Sequence, residues 1–213
     1  MAQIPNTSSA RVFLLSPANA SGERMQMLLR PGAEFDLAQR VRAGAASLGE
    51  AFAFTSGLYF RGKLAYATAF ARPPEGVPGV LVIAPGAGLV PAETQVRTEQ
   101  LVQLGKVPVD EADPRFREPL LEASKLLKSA LPPDGEIVLL GSVASAKYVD
   151  PLLSVFGQRL LFPPTFVGRG DMSRGGLLLR CVRSGEELPY APVDGAVRHG
   201  PRPPRLPRLP RRG

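Results

Sequence analysis

The sequence predicts an α/β domain, a three-layer sandwich with a mostly parallel sheet of about four strands, followed by a disordered C-terminal tail. Three observations carry this reading. Four short apolar runs, at residues 11–15, 80–83, 137–140 and 158–162, alternate with helix-patterned segments. Each run ends in a loop of small residues, as strands that feed crossover helices do. Past Asp194 the composition turns abruptly to proline and arginine, which have little to bury. Residues 1–194 therefore read as one domain and residues 195–213 as a tail, and a chain of 213 residues is long enough for one substantial core.

In chain order, RVFLL at 11–15 is the first strand, and SPANASG at 16–22 is the polar loop after it. Residues 23–29 suit a brief helix before Pro31-Gly32. Phe35, Ala38 and Val41 keep helical spacing, with Gly44 as the stop. SGLYFRGKLAYATAFA at 56–71 is the strongest helix pattern of the first half, with Ser56 as its cap and apolar residues nearly all round, which predicts burial. Tyr59, Lys63, Tyr66 and Phe70 share one face of it. A lysine among aromatics reaches a ligand or, more commonly, lays its stem over the core and keeps its head in water.

VLVI at 80–83 reads as a buried strand running into Ala84-Pro85-Gly86-Ala87-Gly88, and residues 98–104 read as a short helix. Asp113-Pro114 opens a helix, since proline at the first helical position loses no hydrogen bond. Phe116, Leu120, Leu127 and Leu131 form its core stripe; Pro119 within it offers a later start as the alternative.

The central stretch, residues 136–180, reads as strand, turn, helix, strand, loop and helix. Gly141-Ser142 ends the third strand, and Ser142 or Ser145 caps the helix after it. Pro163-Pro164 stops the fourth strand. Residues 168–176, GRGDMSRGG, have the most unusual composition in the chain: four glycines and two arginines at a helix start, an arrangement that suits an anion.

The totals narrow the function classes. The formal net charge is +7, but six arginines follow Asp194, so the body carries about +1. A basic face that grips nucleic acid along the whole body is not indicated. Cys181 is the only cysteine and His199 the only histidine, which rules out an internal disulfide and disfavours a Cys/His zinc site or a histidine-dependent triad. No metal and no cofactor is expected. Apolar runs fall well short of the roughly 18 residues that a membrane span needs, and the first ten residues lack a signal-peptide pattern, so a cytoplasmic location is expected.

Ligands of open parallel sheets bind beyond the carboxyl ends of the strands. The candidates there are Asn19 and Ser21 after the first strand, Gly86 and Gly88 after the second, and Gly141 and Ser142 after the third. Gly168, Arg169, Gly170, Ser173 and Arg174 follow the fourth. Glycines let a ligand approach the backbone, and arginine forks clamp phosphate or carboxylate; the same glycines also serve plain turn geometry, and Asn19 and Ser21 also suit a turn cap. Asp171 is the candidate acid or base, or alternatively caps the next helix and pairs with an arginine. Glu50 and Glu99 are the other carboxylates near helix starts. The Lys-Ser/Thr ending of a P-loop is missing, and APGAG is too short for a dinucleotide fingerprint, which disfavours nucleotide triphosphate hydrolysis.

GLYFRGKLAYA (57–67), LLGS…KYVDPLL (139–153) and GRGDMSRGGLLLR (168–180) resemble an uncharacterised bacterial protein family over roughly residues 11–193, a resemblance that brings no established activity with it. By order of elements alone the chain also resembles uracil-DNA-glycosylase-like α/β domains, some of which occur in base-modifying enzymes. Those enzymes carry a polar motif after the first strand, the place of SPANASG here; they also often use a histidine in a late loop, and this chain has none before His199.

The expected function is binding of a phosphorylated, nucleotide-like ligand or a nucleic-acid end at the strand-end crevice. Glycosidic-bond or base-modifying chemistry is the reaction such a site would run. The alternative is a non-catalytic interaction module whose Pro/Arg tail binds a partner protein or RNA, with weak, nonspecific nucleic-acid contact through the arginines.

Overall fold

The structure is a computed structural model and describes residues 9–204 and 206. The strand β1 (Arg11–Leu15) is central and parallel to both its neighbours, β3 (Val80–Ala84) and β6 (Glu136–Leu140). β7 (Leu160–Phe162) continues parallel beyond β6. Two antiparallel strands close the edges, β4 (Gly88–Pro91) on β3 and β8 (Ala191–Pro192) on β7, giving the order β4-β3-β1-β6-β7-β8. The sheet thus has six strands where about four were expected. Both additions are weak as sequence: one starts at glycine and ends at proline, and the other is two residues long. A separate short pair joins β2 (Ala46–Ser47) to β5 (Gln95–Val96).

Eight α-helices lie among the described residues: α1 (Glu23–Leu29), α2 (Asp36–Ala43), α3 (Leu48–Ser56), α4 (Leu58–Phe70), α5 (Thr98–Gly105), α6 (Pro114–Ala130), α7 (Ala146–Phe156) and α8 (Asp171–Ser184). Because side chains alternate along a strand, β1 feeds two cores. Phe13 and Leu15 enter one with Met25, Phe52, Phe60 and Leu178; Val12 and Leu14 enter the other with Phe116, Leu120, Val149 and Leu152. None of the described helices is long and apolar enough to cross a membrane.

Two local expectations need correction. The helix expected over 56–71 is two helices, because Gly57 turns between them at φ +61 and Ser56 closes α3 instead of capping α4. The start of α3 carries a capping box in which Ser47 Oγ accepts from the Glu50 amide and Glu50 accepts from the Ser47 amide, so Glu50 holds a helix end. APGAG is a hairpin turn between β3 and β4, not a loop into a helix. The helix start read at Asp113-Pro114 holds: Pro119 stays inside α6, which starts at Pro114, with Asp113 accepting from the Arg115 amide.

Two features of the fold prepare a site. From β1 the chain leaves toward β3, and from β6 it leaves toward β7 on the opposite side, so the loops diverge and open a crevice between β1 and β6. Second, α4 and α8 cross at glycines. A Cβ on Gly175 would stand 2.7 Å from the Leu58 carbonyl, and one on Gly62 would stand 2.8 Å from the Gly175 carbonyl. Only this close approach sets the first turn of α8 against Tyr59 and Lys63.

Residues 195–204 run along the body. Arg198 reaches Asp150 at 3.8 Å, Gly200 lies beside Val167, and the Pro201 carbonyl lies against Gly168. The expectation of a disordered tail also covers residues 205 and 207–213, which lie outside the described residues.

Candidate functional site

At the switch point lies a crevice of about 1100 Å³, lined by Ser16, Asn19, Tyr59, Lys63, Ser142, Ser145, Lys147, Tyr148 and Asp171, with residues 108–111 on the far wall. Its floor is a lysine whose head the sequence pattern left in water and the fold buries. Lys63 is 1% exposed on a helix that is apolar nearly all round. Its Nζ donates to the Ser16 carbonyl at 2.6 Å and lies 2.8 Å from Ser16 Oγ. The rings of Tyr59 and Phe60 flank it, with centroids 4.6 and 4.8 Å away. Among the described residues it makes no ion pair. Burial pushes its pKa down from 10.5 to about 7; the charge of Asp171 opposes that shift and the charge of Arg174 adds to it.

Ser16 is the first residue past β1, and its amide donates to the Leu140 carbonyl at 3.1 Å, which holds the ends of β1 and β6 together. Gly141, the first residue past β6, meets it. A Cβ there would stand 2.8 Å from Ser16 Cβ, 3.0 Å from Ser16 Oγ and 3.3 Å from the Tyr148 hydroxyl. Gly141 therefore serves the site by leaving room for Ser16 and Tyr148 to meet. Burial raises the Tyr148 pKa, while the Ser16 side chain and the Ser142 amide, both within reach of its hydroxyl, act the other way. Burial also raises that of Tyr59, whose hydroxyl is turned toward Arg174 without meeting a partner in hydrogen-bond geometry.

The rim is built from helix starts. α7 begins beside the crevice at Ser145, Ala146 and Lys147, and no side chain caps its free first-turn amides. α8 begins there at Asp171, again without a side-chain cap, and Asp171 faces Arg174 at 3.5 Å. The uncapped start of α7 favours a negatively charged ligand group, whereas α8 brings only the Asp171 carboxylate to the cavity, its Gly170, Met172 and Ser173 lining another groove.

Of the residues singled out in the sequence, the fold brings Asn19, Ser142 and Asp171 into this crevice. Asn19 Oδ1 also accepts from the Ser21 amide at 3.1 Å and its hydroxyl at 3.0 Å, a turn that fixes both. Gly86 lines a separate pocket of about 560 Å³ with Leu48, Val90 and Leu104. Gly88 packs on α6, where a Cβ would stand 2.5 Å from the Pro119 carbonyl. Arg169, Gly170 and Ser173 line a small groove with Arg202, Pro203 and Pro204. Arg169 donates to the Thr165 carbonyl at 2.9 Å and to Ser173 Oγ at 3.2 Å. Arg174 is buried and donates twice to the Phe166 carbonyl, at 3.2 and 3.1 Å. Neither guanidinium lines the crevice, and Gly168 adjoins Pro201 instead.

Sequence reasoning passed over Ser16 and Tyr148 and favoured a wet head for Lys63, which is buried instead. A signal existed for the lysine alone: a charge in the middle of an apolar helix, with no carboxylate four residues away. No family model, curated protein or solved structure matches the chain.

Proposed function

We propose that the crevice binds a phosphorylated, nucleotide-like ligand or a nucleic-acid end. The observation that carries this is the uncapped start of α7, with Lys147, on a cavity at the topological switch point. Lys147 adds positive charge at the α7 start. Asn19, Ser142 and Ser145 supply hydrogen-bonding groups for a sugar or base, and Tyr59 and Tyr148 supply aromatic surface. In this reading Asp171 is the acid or base of glycosidic-bond or base-modifying chemistry, placed at the cavity mouth. The two-sided core supports a three-layer sandwich, and the likeness to uracil-DNA-glycosylase-like domains rests on the order of elements alone.

Melting temperature in millimolar nucleoside, nucleoside monophosphate and inorganic phosphate tests the reading. Nucleoside monophosphate should stabilise the protein more than nucleoside does, and Lys147→Ala should weaken that stabilisation. Absence of stabilisation by every nucleotide sinks it. If a version ending at Asp194 loses all nucleic-acid binding while nucleotides have no effect, the interaction-module alternative takes its place.

A further inference from the structure

We propose that Ser16 is a nucleophile activated by Lys63, and that the crevice transfers or hydrolyses an acyl group presented as an ester or thioester. The parts of such a step are in place. Ser16 Oγ and Lys63 Nζ are 2.8 Å apart, hydrogen-bond distance for a nucleophile and its base. Lys63 directs one N–H to the Ser16 carbonyl. When the amine is neutral, its lone pair is therefore free to accept the Ser16 hydroxyl proton. A lysine buried against aromatic rings, with no carboxylate bonded to it, reaches that neutral form near neutral pH. Tyr148 closes the third side of Ser16 across Gly141. The uncapped amides at the start of α7 line the same cavity, where an oxyanion can be received.

The step balances with water as the only further reactant. Ser16 Oγ attacks the acyl carbon, and its proton passes to Lys63 Nζ. The tetrahedral oxyanion turns toward the α7 amides. Collapse breaks the bond from the acyl carbon to oxygen or sulfur, and the departing alcohol or thiol takes the proton back from Lys63. Water then attacks the Ser16 ester, yields a proton to Lys63, and the acid departs as Ser16 recovers its hydrogen. An ester or thioester is specified because an alcohol or thiol, taking the proton that Lys63 holds, departs more readily than the amine of an amide does.

The pH response belongs to everything that faces the lysine: Tyr59 on its own helix, Asp171 and Arg174 on α8, and Tyr148 on α7 beside Ser16. The test treats the full-length protein with a fluorophosphonate and, separately, with p-nitrophenyl acetate, and maps adducts by mass spectrometry. One adduct is expected, on Ser16, absent from Ser16→Ala. Its rate should climb about tenfold per pH unit up to the lysine pKa of about 7 and level off above it. Lys63→Met should slow labelling at least ~100-fold without lowering the melting temperature. An unlabelled protein, an adduct on Ser21, Ser142 or Ser145 instead, or Lys63→Met labelled at the wild-type rate overturns the proposal. Should Lys63→Met fail to fold, a flat wild-type pH profile overturns it. Nucleotide stabilisation measured alongside keeps the two readings apart: labelling without it sinks the ligand reading alone, and stabilisation without labelling sinks the dyad alone.

Discussion

The two ends of the central strand each hold a cation, half-buried at one end and buried at the other, and they treat it in opposite ways. At the start of β1, Arg11 bonds Glu136 through Nε at 2.6 Å, pairs with Glu187, and sits 4.7 Å from the Tyr190 ring. Arg72 shares Glu187 at 3.2 Å, and the Tyr66 and Tyr190 hydroxyls meet at 2.7 Å, with Tyr190 donating to Glu187. Burial works against the Arg11 charge, but the bonds to Glu187 and Glu136 outweigh it and raise the pKa. At the other end, Lys63 has a carbonyl, a hydroxyl and two ring faces for company, and an open cavity beside it. A charge with ionic partners fastens elements together. One with neutral partners stays chemically available.

The largest effect should come from breaking the fastened end. Arg11→Ala leaves Glu136 and Glu187, 28% and 23% exposed, without their cation. It should lower the unfolding free energy by about 3 kcal/mol, read from urea denaturation. A loss under about 0.5 kcal/mol, the range of ordinary surface substitutions, would erase the contrast between the two ends.

That contrast also explains which parts of the molecule were legible beforehand. β1, β3, β6 and β7 were readable because short apolar runs with breaker residues behind them have few other uses, and α2 and α6 had clear spacing or a clear start. The edge strands were not, since β8 depends on pairing with Leu161 and Phe162 across the chain. The break at Gly57 was hidden because glycine also sits inside helices, as Gly62 does. In the site, the crevice location followed from topology, and Asn19, Ser142 and Asp171 reached it. Of the candidate glycines only Gly141 adjoins the crevice, and for a different reason: it and Gly175 make room for packing, which depends on a neighbour that no local pattern names. Ser16 stayed unread because a serine after a strand is ordinary until a lysine 47 residues later is placed against it.

The middle effect lies at the available end and depends on pH. The folded pKa of Lys63, about 7, is below its ordinary 10.5, so between those values the unfolded chain holds more protons than the folded one. Stability therefore rises with pH across that window, and the cost of the buried charge is complete below about pH 7. Lys63→Met removes this dependence. Its melting temperature should exceed the wild type's at pH 6 by the widest margin, and the margin should narrow toward pH 9. A tenfold change in proton affinity corresponds to about 1.4 kcal/mol, so the effect should amount to a few kcal/mol at most. A constant margin across that range would mean that the lysine stays charged when folded, and it would remove the base from the proposed dyad.

The smallest effect should come from a third cation, which supplies the baseline for the other two. Arg198 meets Asp150 at 3.8 Å, with the two side chains 34% and 62% exposed. Water already solvates most of both groups, the separation is at the outer limit of an ion pair, and salt screens what attraction remains. Ordering two long side chains offsets part of that gain. Arg198→Ala should change the unfolding free energy by under about 0.5 kcal/mol, and the change should vanish in 1 M salt, where the Debye length is about 3 Å. Residues 195–204 have other contacts, at Gly168 and Val167, that the substitution leaves in place. A loss above about 1 kcal/mol that survives high salt would show that this pair anchors the segment to α7. Arg198 would then belong with Arg11 as a fastener, and a carboxylate partner would suffice to hold the fold without burial.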